Sequence, residues 1–386
     1  MEEIKIRDTC NVLNGYAFKS DKYVNEGIRV IRITNVQKGY IEDYKPQYYP
    51  LSEYENLKDY TLFENDILIS LTGNVGRIAM VTSDFLPALL NQRVACLRVK
   101  NNNVDYRYLY YYLLSSRFEK DCVSSAKGVA QKNLSTEWLK EYQINIYPKD
   151  KQKEIIKVLD KLTRMISSRK QQLQQLDELV KSRFVEMFGD PTDIRLDRVH
   201  LVEYVENTKY GTSQPPQFDE NGCFKFIRAT NIKNGHIIEK NMLFISKAES
   251  EKISKCKLNG GEIIIVRSGA NTGDTCIITD EYIGQYAGYD IIVTLKTDKL
   301  NPVFLNELIN IPQYMKKVVK PLTARSAQPH LNTQQVQSLP ILVVDIDKQN
   351  EFANFVKQID KSKVVVQKAL DEAQTLFDSL MQEYFG

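Results

Sequence analysis

Residues 150–189 constrain this chain more than any other stretch. The run opens on Asp150, a residue suited to cap a helix, and closes on Gly189 ahead of Pro191. Between them Leu159, Leu162, Ile166, Leu173, Leu176, Val180 and Met187 recur by threes and fours, the seam of a heptad pattern. A helix of this length carries an apolar stripe and needs a partner to cover it. Residues 347–386 supply one. Phe352, Val356, Ile359, Val366, Leu370, Ala373, Phe377, Leu380 and Tyr384 fall on the same seam, and Phe188-Gly189 returns as Phe385-Gly386. Arg169, Arg183 and Lys363 interrupt the stripes, and polar seam positions of this kind favour one antiparallel register within the chain over self-pairing. Two copies of one long amphipathic helix, each closing half of the chain, predict a duplicated protein.

The segments ahead of the helices repeat as well. In the first half, apolar runs at 28–33, 67–71, 78–81, 94–99 and 144–147 read as strands, and 106–116 and 136–142 as helices, after a mixed loop at the start. In the second half, 224–231, 263–267 and 291–296 replay the strands and 301–311 the helix. The loop Thr72-Gly73-Asn74-Val75-Gly76-Arg77 is answered by Ser268-Gly269-Ala270-Asn271-Thr272-Gly273, and Ala130-Gln131 by Ala327-Gln328. Strands and helices mix without steady βαβ alternation. The fold class is therefore α+β: two duplicated mixed domains joined by two long antiparallel coiled-coil helices. A repeat of this length is a domain duplication and not a solenoid unit.

Composition narrows the chemistry. With 26% charged residues, 42% hydrophobic residues and a formal charge of +3, the chain is an ordinary globular protein and only weakly basic. No apolar run reaches membrane-spanning length and the first residues carry no secretion signal, so the expected location is the cytoplasm. The six cysteines include no C-x-x-C pair, and His200, His236 and His330 have no metal-ligand spacing. Phosphate-loop and nucleophile-elbow motifs are missing, and the glycines at 73 and 269 read as turn residues with positive φ. The Gln214-Pro215-Pro216-Gln217-Phe218 string lacks the acid or amide that an amino-methyltransferase corner places before its prolines. No catalytic or metal constellation emerges. Polar loops at strand ends remain, rich in the Arg, Asn, Gln, Thr and Tyr side chains that contact base edges and phosphates.

Five strings stand in order in the first half: Asn14-Gly15-Tyr16-Ala17-Phe18-Lys19, Ile31-Arg32-Ile33-Thr34-Asn35, Leu71-Thr72-Gly73-Asn74-Val75-Gly76, Gly128-Val129-Ala130-Gln131-Lys132-Asn133-Leu134 and Pro148-Lys149-Asp150-Lys151-Gln152. With a long helix after them and a second copy behind, the set resembles the specificity subunit of a type I restriction–modification enzyme. The second copy departs by placing Thr212-Ser213-Gln214 where the first has Tyr16-Ala17-Phe18, and Val344-Asp345 where the first has Tyr147-Pro148. The resemblance implies target-recognition domains at 1–149 and 190–346, each reading half of a bipartite double-stranded DNA site. It also implies spacer helices at 150–189 and 347–386 that set the gap and dock modification subunits. Such a subunit does no chemistry and needs no cofactor. S-adenosylmethionine belongs to the modification subunits, ATP and Mg to the restriction subunits. The rival readings are a solitary DNA-binding protein without an active complex, a self-sufficient methyltransferase or nuclease, and a coiled-coil scaffold.

Comparing the halves sorts the candidate DNA contacts. Residues shared by both, Arg32 with Arg228, Asn35 with Asn231 and Gln131 with Gln328, suit framework, phosphate or docking roles, because they cannot carry a difference between half-sites. Base readers are expected among polar residues that differ. The first domain offers Tyr16, Lys19, Asn74, Arg77, Gln92, Arg93 and Lys132. The second offers Gln214, Arg267, Asn271, Tyr289, Asp290, Arg325 and His330, and Thr72 and Ser268 are expected as further DNA contacts.

Overall fold

The apolar run around Leu68 explains the architecture of the first half. Its residues are buried on both faces of a strand, which is why they read as unbroken hydrophobic sequence. Ile67 and Ile69 meet Tyr108, Leu109 and Phe118 of the helices, whereas Leu68 meets Ile31, Leu62 and Leu90 of a second sheet. The structure, a computed structural model, describes residues 1–126, 133–323 and 330–386. It divides into two compact units, Met1–Arg169 with Lys368–Gly386, and Lys170–Gln367. The unit boundaries thus fall inside the long helices, not at their ends.

In the first unit an antiparallel sheet runs in the order Cys10–Asn14, Val94–Val99, Ile67–Ser70, Ile78–Met80. A second sheet, Tyr48–Tyr49, Ile28–Ile31, Ala88–Leu90, Thr61–Leu62, contains one parallel pair, Ile28–Ile31 with Ala88–Leu90. The opening residues, expected as loop, pair instead: Glu2–Lys5 with Gln143–Ile146, and Cys10–Asn14 with Val94–Val99. Short strands whose partners lie far along the chain leave little local pattern to read.

The second unit repeats the design. Val205–Tyr210, Ile291–Leu295, Ile263–Ile265 and Thr275–Ile277 form the antiparallel sheet. Phe224–Ile227 pairs parallel with Tyr286–Ala287 in the other. Ile263 and Ile265 face the helical core while Ile264 faces the second sheet.

The two long helices span Lys149–Phe188 and Ile346–Phe385, 40 residues each. Gly189 ends the first with φ +81° and donates its N–H to the Val185 carbonyl at 2.8 Å, the left-handed closure that glycine permits. Asp150 does not cap the start; its exposed carboxylate lies 3.7 Å from Lys153 one turn on. A buried glutamine secures each start instead. Gln152, 1% exposed, donates to the carbonyls of Asn103 (2.9 Å) and Tyr147 (2.8 Å) and accepts the Asp105 N–H (2.9 Å). Gln349 does the same in the second unit, donating to Lys299 (3.3 Å) and Val344 (2.7 Å) and accepting from Asn301 (2.8 Å). Asp105 and Asn301 are themselves the N-caps of Tyr106–Leu113 and Pro302–Asn310.

The seam residues face inward, with one correction to the register. Val180 is followed by Phe184 and Phe188, not by Arg183 and Met187, as the best-buried positions. Within the second unit Phe184 and Phe188 both meet Phe352, at 5.4 and 5.5 Å between ring centres. Arg183 lies beside the seam, 3.4 Å from Glu351, and Lys363 forms a 2.7 Å ion pair with Asp177. Moving up the first helix from Asp177 to Arg183 moves down the second from Lys363 to Glu351, so these segments run antiparallel.

Two matched junctions tie helix to domain differently. In the first unit the Tyr111 hydroxyl donates to Asp160 at 2.8 Å. In the second, Glu307 stands among His236, Lys363, Asp360 and Asp177 and accepts from Asn306 at 3.3 Å. Desolvation pushes the Glu307 carboxyl up to about 7, against the opposing pull of Lys363. Folded protein therefore keeps a proton that unfolded protein releases above its ordinary value of 4.5, and the group's contribution to stability falls as pH rises through that window.

Two outcomes follow from these contacts. Gln152→Met, which keeps the volume but not the hydrogen bonds, should lower stability by about 1–3 kcal/mol, read as a lower urea midpoint. Glu307→Gln should raise the melting temperature relative to the parent protein more at about pH 8 than at about pH 4. An advantage independent of pH would mean that Glu307 stays ionised throughout.

Candidate nucleic-acid interface

Each antiparallel sheet delivers a glycine-containing loop to the corresponding position of its own unit. In the first unit Ser70 closes the loop by accepting the Gly76 N–H through its carbonyl (3.0 Å) and the Arg77 N–H through its hydroxyl (2.9 Å). In the second, Val266 accepts from Gly273 at 2.9 Å. Gly73 and Gly269, at the tips, have φ +66° and +92°, and a Cβ on either would meet nothing within 4 Å. The tips are open. Behind them Thr72 bridges Asn133 and Ser268 bridges His330, with the Leu134 and Leu331 N–H groups donating to Leu71 and Arg267. Gln131, Lys132, Arg325 and Gln328, which precede these bridges, lie outside the described residues.

In the first unit Thr72, Asn74, Arg77 and Arg93 line one hollow of about 360 Å³, together with Thr34, Gln37 and Tyr44, which the sequence reading did not select. Arg77 donates from Nη1 to the Gln37 Oε1 at 2.6 Å, so a neutral amide orients its guanidinium. Gln92 and Lys19 are exposed nearby in sequence, but do not line the hollow. Tyr16 is half-buried in an aromatic group with Phe18 and Tyr60, at 5.1 and 5.2 Å, and its backbone pairs with Leu90 and Gln92.

In the second unit Arg267, Tyr289, Asp290 and His330 come together. The Arg267 guanidinium lies 4.2 Å from the Tyr289 ring centre and 5.0 Å from that of Tyr210. Its Nε and Nη2 reach His330 Nε2 at 3.3 and 2.9 Å. The Asp290 carboxylate accepts the Arg267 backbone N–H at 2.9 Å, and burial holds its carboxyl above the usual aspartate range. Tyr210 was missed, although the repeat places it beside the first unit's Asn14-Gly15-Tyr16 string. Gln214 is exposed and, among the described residues, hydrogen-bonds with Thr212.

Several candidates, among them the residues shared by both halves, are engaged within the fold itself. Asn35, 4% exposed, accepts the Arg32 N–H at 3.0 Å and donates to the Glu42 carbonyl at 2.9 Å. Asn231 makes the matching bonds to Arg228 (3.2 Å) and Ile238 (3.0 Å). Arg32 and Arg228 donate from Nη2 to the Lys45 and Asn241 carbonyls, both at 2.9 Å. Asn271 donates to the carbonyls of Ala229 and Ile232, each at 3.2 Å. The buried carboxylate of Asp290 belongs to the same framework. These side chains fasten turns, and loop composition alone cannot separate an amide pointing inward from one pointing outward.

The description "Type I restriction modification DNA specificity domain" fits residues 1–178 and 200–373. The chain belongs to that family. It is 23% identical over 417 aligned residues to the EcoBI specificity subunit of Escherichia coli, covering 99% of this chain and 85% of the relative. The EcoAI specificity subunit of the same organism is 31% identical over 165 residues, 42% of this chain and 28% of the relative. The crystal structure of a type I restriction–modification S subunit from M. genitalium shares the fold, with TM-score 0.63 and 14% identity over 100% of this chain and 96% of that one. These relatives are named as specificity subunits, not as methyltransferases or nucleases. Among the described residues no cluster of His, Cys, Asp and Glu could hold a metal ion, and no helix is long and apolar enough to cross a membrane.

The framework assignment has a direct check. Asn35→Ala should cost about 1–3 kcal/mol of stability, whereas Asn74→Ala, at the open tip, should stay within about 0.5 kcal/mol. Thermal unfolding distinguishes them, and equal losses would place Asn74 in the framework too.

Proposed function

We propose that this chain is the DNA-reading specificity subunit of a type I restriction–modification complex. Residues 1–149 and 190–346 act as target-recognition domains, one for each half of a bipartite duplex site. The observation that carries this reading is that two copies of one fold present different polar groups at one loop position. A duplicated framework with divergent tips suits two half-sites of different sequence, since direct readout depends on which donors and acceptors reach the base edges.

The long helices act as the spacer that sets the gap, and their outward faces receive the modification subunits. Those subunits bring S-adenosylmethionine and transfer its methyl group to adenine. Restriction subunits bring ATP with Mg. This chain supplies neither and positions both, in the cytoplasm where the DNA is. Its formal charge of +3 fits a subunit that shares phosphate contacts with its partners.

Lengthening the first helix by one turn, about four residues, should shift the gap tolerated between half-sites while leaving both half-site sequences intact. Sequencing of methylated adenines in cells expressing the chain with its modification subunits reads both quantities. An unchanged gap would remove the spacer role, and absence of any bipartite motif in the parent strain would remove the whole reading.

A further inference from the structure

Among the described residues the Arg267 cluster has no counterpart in the first unit. The carbonyl that accepts the Leu331 N–H belongs to Arg267, and the one that accepts the Leu134 N–H belongs to Leu71, so an apolar side chain stands at the matching place. His330 is matched by Asn133 through the bridges to Ser268 and Thr72. Phosphate contacts carry no sequence information and are expected of both domains alike. A cluster present in one domain alone is where a difference between half-sites can reside.

Its geometry is that of a fixed donor fork. Tyr289 and Tyr210 hold the guanidinium against their rings, and His330 occupies the edge formed by Nε and one side of Nη2. The buried Asp290 carboxylate feels the charge of Arg267 without reaching its guanidinium in a hydrogen bond, and Nη1 has no hydrogen-bond partner among the described residues. The end of the fork formed by Nη1 and Nη2 therefore keeps its donors. Tyr289, 47% exposed, and the open tip at Gly269 leave it approachable.

We infer that Arg267 is a pre-oriented guanine reader, which deepens the proposed function and rests on it. Guanine offers two adjacent acceptors, O6 and N7, in the major groove, and the free end of the fork matches them with two parallel N–H···acceptor bonds. Adenine puts its N6 donor group where O6 would be, so two donors would face each other. A phosphate could accept from the same two donors but carries no sequence information, so it gives no reason for the cluster to stand in one domain and not the other. Holding the fork in advance reduces the ordering cost of binding, so the discrimination is retained on contact.

The test uses the full chain assembled with its modification subunits and a pool of randomised duplexes, with the bound fraction sequenced. The parent complex should enrich a bipartite site with a guanine in the half read by the second domain. Arg267→Lys, which keeps the charge but not the fork, should make that one position degenerate and weaken binding to the parent site by on the order of 10–100-fold, with the other half-site unchanged. Replacing that guanine by 7-deazaguanine removes N7 without touching the protein. It should weaken the parent complex and leave Arg267→Lys indifferent. Retained guanine preference in the variant, equal weakening on every sequence, or indifference of the parent complex to 7-deazaguanine each overturns the assignment. A parent complex that enriches no bipartite site overturns the proposed function itself, and the two failures are told apart by that first selection.

Discussion

One buried amide at the start of each long helix determines how helix and domain are joined. Gln152 and Gln349 each take one backbone N–H and give to two backbone carbonyls, which engages the side chain fully away from water. Only an amide meets this demand, since a carboxylate cannot donate and an ammonium cannot accept. The N–H each one accepts belongs to the cap of the next domain helix, Asp105 or Asn301. Helix start, cap and domain helix thus form one hydrogen-bonded unit, and Tyr108 or Phe304 of the domain helix then carries the constraint into the core behind the sheet. The sheet in turn presents the open loop. The attitude of each loop to its adjoining helix follows from that chain of contacts.

Comparing the two units separates what the fold requires from what it leaves free. A buried acid precedes the central strand in both, Asp66 in one and Glu262 in the other, each accepting a backbone N–H at 2.8 Å to close the turn. Both need a counter-charge, because a buried carboxylate left alone is costly. Arg98 supplies it in the first unit from the strand Val94–Val99, and Lys209 in the second from Val205–Tyr210, a different strand of the sheet. The physical requirement is kept while its position moves. At the tips no such requirement acts, and Thr72-Gly73-Asn74 and Ser268-Gly269-Ala270 differ freely around the glycine whose φ the turn needs.

Long-period patterns made most of the frame legible in the sequence. The strand Val94–Val99 and the helix Pro302–Asn310 fall within a residue of expectation because burial on one or both faces imposes a period. The heptad seam was found but drifts: beyond Val180 the buried positions become Phe184 and Phe188 where strict alternation selects Arg183 and Met187. A straight helix has 3.6 residues per turn, so a 3.5-residue repeat slips across its face unless the helix supercoils. Site residues were legible only as a class. Arg267, Tyr289 and His330 were picked from separate loops, and nothing local indicated that one guanidinium would gather them. Asn35 and Asn231 stand out in the sequence only as polar residues shared by both halves, and their burial depends on hairpins that close only in three dimensions.

The cations of the frame and those of the loops differ in their partners. Arg98, Lys209 and Lys363 lie against carboxylates and are largely neutralised where they stand. The guanidiniums of Arg77 and Arg267 donate their hydrogen bonds to a glutamine carbonyl and an imidazole nitrogen, with no carboxylate bonded to either among the described residues. An acid in either place would hold the guanidinium as firmly, but a nucleic acid would then have to displace it, with loss of most of the electrostatic gain. A neutral acceptor preserves that gain for an incoming base or phosphate. With a net charge of only +3, the chain has little long-range attraction for DNA of arbitrary sequence. What it can offer is short-range and directional, which is the form of interaction that distinguishes one base pair from another.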